Sequence, residues 1–96
     1  MRSSAVALLI GGALCLPTVA LAQDAAALAK SDGCLNCHDV ATKKVGPAFK
    51  DVAAKYKGKA DAEKMLVDKI TSGSGHPKTK ASPADAATLV KWVLSQ

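Results

Sequence analysis

Two cysteines and a histidine stand close together in this 96-residue chain, in the segment Cys34-Leu35-Asn36-Cys37-His38. Two thiols at this spacing can each add to one vinyl group of the same haem and form thioether bonds. The histidine that follows is then placed to ligate the iron through its imidazole. The segment therefore predicts one covalently attached c-type haem, held by Cys34 and Cys37, with His38 as proximal iron ligand.

Three other kinds of site use a C-x-x-C pair, and the rest of the sequence favours none of them. A redox dithiol normally stands in a βαβ unit, whereas this chain shows no strand alternation. A structural zinc site needs four ligands, and only His76 remains as a further histidine. A structural disulfide suits an oxidising compartment, but it would leave His38 without a role.

The N-terminal segment has the parts of a secretory signal peptide, in the right order. A basic start, Met1-Arg2, precedes an apolar run from Ala5 to about Leu16, and Ala20-Leu21-Ala22 forms an A-x-A cleavage site. This order predicts a signal peptide over residues 1–22, removed after Ala22.

A membrane anchor is the alternative interpretation of the same segment. Gly11, Gly12 and Pro17 interrupt the apolar run, which is also shorter than the roughly 20 apolar residues that a span needs. We therefore expect a mature domain of residues 23–96, without a membrane span after cleavage. So short a chain builds only a marginal core from its own side chains, and a haem would fill its centre.

The charge of the mature chain favours a protein partner over nucleic acid. It has twelve Lys, no Arg and eight acidic residues, which gives a net charge of +4. Proteins that read nucleic acids rely on Arg and on stacking aromatics, and the aromatic residues here are only Phe49, Tyr56 and Trp92. Diffuse lysines suit solubility and steering toward an acidic protein surface.

The remaining patterns predict an all-α domain of about four helices. Gly33, Gly58 and Gly73 provide natural breaks, and Ser82 before Pro83 is typical of a helix start. We expect helices over Asp24 to about Lys30, from Gly46-Pro47 to Gly58 with Pro47 in the first turn, from about Asp61 to Ser72, and from Pro83 onward.

On these residues the chain resembles the class I bacterial cytochromes c of the short c-551/c-552 type, over nearly all of residues 23–96. The resemblance implies an all-α fold wrapped around one covalent haem c, with the first and last helices crossing near Gly33 and Trp92. It also implies that Pro47 offers its carbonyl to the free ring nitrogen of His38. It rests on the C-x-x-C-H motif and on residues 45–53, 82–85 and 89–94.

The chain departs from that family in the loop before the last helix. The family normally places there a methionine that becomes the sixth iron ligand, whereas residues 73–81 contain none. Met65 lies in a predicted helix, where methionine usually fills the core. His76 lies in the loop, which makes it the candidate distal ligand. Met65, Lys78, Lys80 or an open sixth position stay open as alternatives.

The expected function is that of a soluble periplasmic one-electron carrier, with the haem iron as its redox centre. We expect no enzyme activity, because no acid/base pair or nucleophile is evident around the iron. The partners would be redox proteins, acidic around their docking sites, and the carrier itself a monomer. The alternatives are a haem protein that binds small gases at an open or weak sixth site, and a haem subunit of a larger redox enzyme.

Overall fold

The computed structural model describes residues 11–12, the backbone of residues 19–23, and the complete chain from Asp24 to Gln96. The described residues contain helices and loops and no strand, which confirms the all-α prediction. Most of the predicted signal peptide lies outside the described residues. The helices are α1 (Val19–Ser31), α2 (Phe49–Tyr56), α3 (Ala62–Ser72) and α4 (Pro83–Leu94), with a 3₁₀ turn at Cys34–Asn36.

Helix α4 is the central element, because α1, α2 and α3 all pack against it. Its buried side chains are Ala86, Leu89 and Val90. The predicted start is confirmed: the hydroxyl of Ser82 accepts a hydrogen bond from the amide of Asp85 at 3.2 Å, and Pro83 is the first helical residue. This cap satisfies one of the amides that a helix start leaves without a partner.

Helix α3 also follows its prediction closely. It ends at Ser72, and Gly73 follows in the left-handed conformation, with φ 79°. The amide of Gly73 donates to the carbonyl of Lys69 at 3.0 Å, as expected for a glycine that closes a helix. Met65 lies inside this helix, half-buried, and its own amide donates to the carbonyl of Asp61 at 3.0 Å.

The prediction for the start of α2 was wrong by two residues. Pro47 lies outside the helix, and Ala48 is the N-cap, with an extended backbone at φ −60° and ψ 143°. The carbonyl of Ala48 accepts from the amides of Asp51 and Val52, so the first helical turn forms after it. The reason is a long-range contact: the carbonyl of Pro47 accepts a hydrogen bond from His38.

Helix α1 begins earlier than the sequence predicted, at Val19 instead of Asp24. Asp24 consequently lies inside the helix and not at its start. Lys30 stands in the last turn as predicted, which suits the negative end of the helix dipole. Ala25 and Ala29 are buried in this helix, whose small side chains let it approach α4 closely.

The buried core is made largely of small residues. Among the residues whose burial the structure describes, the bulk comes from Phe49, Tyr56, Leu89 and Val90. The other members are alanines: Ala25, Ala29, Ala48, Ala62 and Ala86. None of the helices in the described part of the chain has the length and apolarity that crossing a membrane would require.

Candidate haem site

The attachment segment is folded into a single turn that follows directly on α1. Gly33 takes a left-handed conformation, with φ 80°, and reverses the chain at the end of the helix. The carbonyl of Cys34 then accepts hydrogen bonds from the amides of both Cys37 and His38, at 3.2 and 3.0 Å. This shared acceptor holds the two cysteines and the histidine in one fixed piece of backbone.

The two cysteines are unpaired thiols in different surroundings. Cys34 is half-buried and Cys37 is exposed. Burial raises the pKa of the Cys34 thiol, and the nearby negative charge of Asp32 raises it further. A raised pKa lowers the fraction of Cys34 that is in the nucleophilic thiolate form.

The imidazole of His38 is held by a hydrogen bond from one of its ring nitrogens. Its Nδ1 lies 2.7 Å from the carbonyl oxygen of Pro47. A carbonyl oxygen can only accept, so Nδ1 carries the proton and, in the neutral ring, Nε2 keeps its lone pair. The contact that the resemblance implied is present, and it leaves Nε2 in the form that binds a metal ion.

Gly46 fixes the same ring from the backbone side. A Cβ atom at this position would lie 2.7 Å from Nδ1 and 2.8 Å from Nε2 of His38, with Cε1 nearer still. Real Cβ atoms do not approach a ring so closely, so only glycine fits here. The amide of Gly46 also donates to the carbonyl of Cys37 at 2.7 Å, which ties the loop back to the attachment turn.

The loop between the attachment turn and α2 is closed by further hydrogen bonds. The amides of Phe49 and Lys50 donate to the carbonyls of Asp39 and Val40, each at 3.0 Å. The carboxylate of Asp39 accepts from the amides two and three residues ahead, and these bonds lower the pKa of that carboxyl. The helix that carries Phe49 is thereby positioned relative to His38.

Three aromatic rings form a chain from the site into the core. The ring centroid of Phe49 lies 5.0 Å from that of His38, with the planes 24° apart. On its other side Phe49 meets the indole of Trp92 edge to face, at 5.5 Å and 74°. Phe49 therefore connects the candidate iron ligand to the central helix α4.

His76 is brought to the same site from the loop between α3 and α4. Its ring centroid lies 6.0 Å from that of His38, and the two ring planes differ by 1°. Its Nδ1 lies 2.7 Å from the carbonyl oxygen of Pro77. The structure thus places the two predicted histidines together, Met65 inside α3, and Lys78 and Lys80 exposed in the loop.

Several features of the site were not found from the sequence. The close approach of Gly46 to His38, the ring contact of Phe49 with His38 and the parallel arrangement of the two histidines all join residues that are distant in sequence. The Gly46-Pro47-Ala48-Phe49 segment supported the family resemblance. The order of its residues does not show, however, that they contact the ring of His38.

The donor set suits a haem. Two thiols and one imidazole stand in one turn, and in the neutral imidazole Nε2 has a free lone pair. These are the groups that form two thioether bonds and one axial bond to iron.

Comparisons with known proteins agree with this assignment. The cytochrome c family model matches residues 22–96. Cytochrome c-551 of Pseudomonas aeruginosa is 43% identical over 103 aligned positions, covering 100% of this chain and 99% of that protein. Cytochrome c-552 of Nitrosomonas europaea is 46% identical, over 77% of this chain and 80% of that protein.

A solved structure extends the agreement to the fold. The crystal structure of wild-type cytochrome c552 from Nitrosomonas europaea matches with a TM-score of 0.61 at 45% identity, covering 73% of this chain and 96% of that one. Members of this family are small electron carriers, not enzymes, and bind one covalent haem c with its iron, for which Cys34 and Cys37 provide the motif. The chain belongs to the cytochrome c family, as a class I monohaem member similar to the c-551 and c-552 proteins.

Proposed function

We propose that this protein is a soluble, monomeric one-electron carrier of the periplasm, with its haem bound to Cys34 and Cys37 and its iron ligated by His38. The observation that carries the proposal is the single turn in which one carbonyl orders both thiols and the imidazole. The bound iron would supply the chemistry, a one-electron change between the ferric and ferrous states. Everything else that the protein does is to hold, orient and shield that centre.

Orientation is the task of the residues around the His38 ring. Pro47 accepts the Nδ1 proton, which fixes the tautomer and makes Nε2 a stronger donor. Gly46 and Phe49 confine the ring from two sides. A ligand held in this way needs little rearrangement when the iron changes its charge, which suits rapid electron transfer.

Export follows from the predicted signal peptide. Cleavage after Ala22 would leave Gln23 as the N-terminus and would remove Cys15. The mature chain would then contain only the two cysteines of the motif, so no third thiol competes during attachment of the haem.

The partner would be a redox protein with an acidic docking site. The mature chain is cationic, and Lys43 and Lys44 are exposed in the loop that joins the attachment turn to α2. Attraction between such surfaces raises the association rate at low salt and is screened at high salt.

The test is expression of the full chain in a bacterial host that has the c-type maturation machinery. The expected result is a periplasmic protein that starts at Gln23, with haem that stays attached under denaturing conditions and undergoes reversible one-electron reduction. Cys34→Ala and Cys37→Ala should each lose one thioether bond, and the double variant should lose covalent attachment. Retention of covalent haem by the double variant would overturn the site, and a cytoplasmic or membrane-bound product would overturn the localisation.

A further inference from the structure

We infer that His76 is the second axial ligand, so that the haem iron is held between two imidazoles instead of an imidazole and a thioether. The inference rests on the proposed function, because it requires a haem bound at His38. His76 would take the place of the loop methionine that serves as sixth iron ligand in the family.

The distance between the two rings fits this role. A metal–imidazole bond is about 2.0 Å, which places the centroids of two imidazoles on opposite sides of one metal ion about 6 Å apart. The centroids of His38 and His76 are 6.0 Å apart, and their planes differ by only 1°. A separation of this size also occurs between directly interacting aromatic rings, so the distance alone does not decide the matter.

The hydrogen bonds of the two rings favour ligation of one metal ion over a direct contact between the rings. Each histidine donates its Nδ1 proton to a proline carbonyl at 2.7 Å, His38 to Pro47 and His76 to Pro77. In the neutral ring each histidine therefore has its lone pair on Nε2, and within residues 24–96 no hydrogen bond reaches either Nε2 atom. A solvated loop histidine needs no such arrangement, whereas a metal-ligating histidine typically has its other ring nitrogen held by an acceptor.

The loop that carries His76 is held in a defined conformation. It starts with two glycines in the left-handed region, Gly73 at φ 79° and Gly75 at φ 74°. It is closed by Thr79, whose amide and hydroxyl both donate to the carbonyl of Ile70, at 2.9 and 3.0 Å. Fixing both ends lowers the entropy that His76 would lose on binding iron.

The other candidate ligands are less well placed. Met65 belongs to an intact turn of α3, and its use would require breaking the backbone hydrogen bond to Asp61. Lys78 and Lys80 are exposed, and a charged ammonium group has no lone pair to offer iron. The inference predicts a lower reduction potential than a methionine ligand would give at equal burial, and no ready binding of carbon monoxide.

The experiment compares ferric haem-loaded wild type with His76→Ala, His76→Met and the loop control Lys78→Ala, by absorption and EPR spectroscopy. We expect a low-spin wild type with the rhombic EPR signal typical of parallel imidazole planes, and the same spectrum for Lys78→Ala. His76→Ala should become high-spin, bind carbon monoxide when reduced, and return to low spin when free imidazole is added. His76→Met should have a raised midpoint potential and gain the sulfur-to-iron charge-transfer band.

Two outcomes would overturn the inference while leaving the proposed function intact. A high-spin wild type would mean that the sixth position is open and would favour gas binding. A low-spin spectrum that survives in His76→Ala would assign the ligand to Met65 or to a lysine. Failure of the proposed function itself would look different, because the wild type would then carry no covalent haem and give no haem spectrum.

Discussion

The backbone of Gly46 lies against the imidazole of His38 so closely that not even a methyl group fits between them. We therefore predict that Gly46→Ala displaces the ring and weakens its hydrogen bond to Pro47. Overpacking of this kind costs about 1–3 kcal/mol of folding free energy. Denaturant unfolding should show that loss, and the ferric spectrum should show altered coordination.

Gly58→Ala is the matched control for that prediction. Gly58 has φ 79°, so a side chain is strained there by roughly 1–2 kcal/mol, but nothing lies within 4 Å of the added Cβ atom. This variant should lose stability with an unchanged haem spectrum. Equal spectra for the two variants would contradict the role assigned to Gly46.

Phe49 connects the His38 ring to Trp92 and is only 4% exposed. Phe49→Ala should therefore lower the free energy of unfolding by about 3–5 kcal/mol. The haem absorption should also change at a lower denaturant concentration than in the wild type. Denaturant titration of the haem-loaded protein, followed by the Trp92 fluorescence and by the haem absorption, measures both effects. Val45→Ala serves as the control, because Val45 is 83% exposed and should change stability by less than about 0.5 kcal/mol.

Ser82 caps the central helix through its hydroxyl. Ser82→Ala should cost about 1 kcal/mol, because the amide of Asp85 loses its acceptor. Ser82→Asp should recover most of that loss. The control is Ser74→Ala, at an exposed loop position, and thermal unfolding should leave this variant at the wild-type value. If both serine-to-alanine variants lose the same stability, the cap is not the cause.

Lys43 and Lys44 are neighbours with different contacts. The ammonium of Lys44 donates to the carbonyl of Leu35 in the attachment turn, at 3.1 Å, and both lysine side chains are exposed. Lys44→Gln should lower stability by up to about 1 kcal/mol, and Lys43→Gln by less. Both should reduce the association rate with an acidic redox partner at low salt by a similar factor, since each removes one positive charge.

Stopped-flow electron transfer over a range of ionic strengths measures that rate. The difference between each variant and wild type should shrink as salt rises, because the interaction is screened. An association rate that does not depend on salt would contradict the proposal that the partner has an acidic docking site.

The parts of the fold that could be predicted from the sequence are those with local signals. Gly73 ends α3, and Ser82 with Pro83 starts α4, because a left-handed glycine and a capping hydroxyl act within a few residues. The start of α2 was missed because Pro47 is engaged by His38, nine residues earlier in the chain. No local pattern encodes that competition.

Some residues of the candidate site could likewise be predicted from local sequence signals, and others could not. The C-x-x-C-H motif is local, so Cys34, Cys37 and His38 could be named from their spacing. His76 could be named only as a candidate, since its relation to His38 depends on how the loop after α3 folds back toward the attachment turn. The equal hydrogen bonds to Pro47 and Pro77 are a property of the folded chain alone.

The prevalence of alanine among the buried residues has a consequence for the life of the protein in the cell. Five of the nine buried core residues in the described part of the chain are alanines, and side chains so small contribute little apolar area. We therefore expect such a polypeptide to be stabilised strongly when the haem is attached, and to be more susceptible to proteolysis before that. Proteases of the compartment should therefore degrade unfinished molecules and spare finished ones, so that the amount of protein follows the supply of haem.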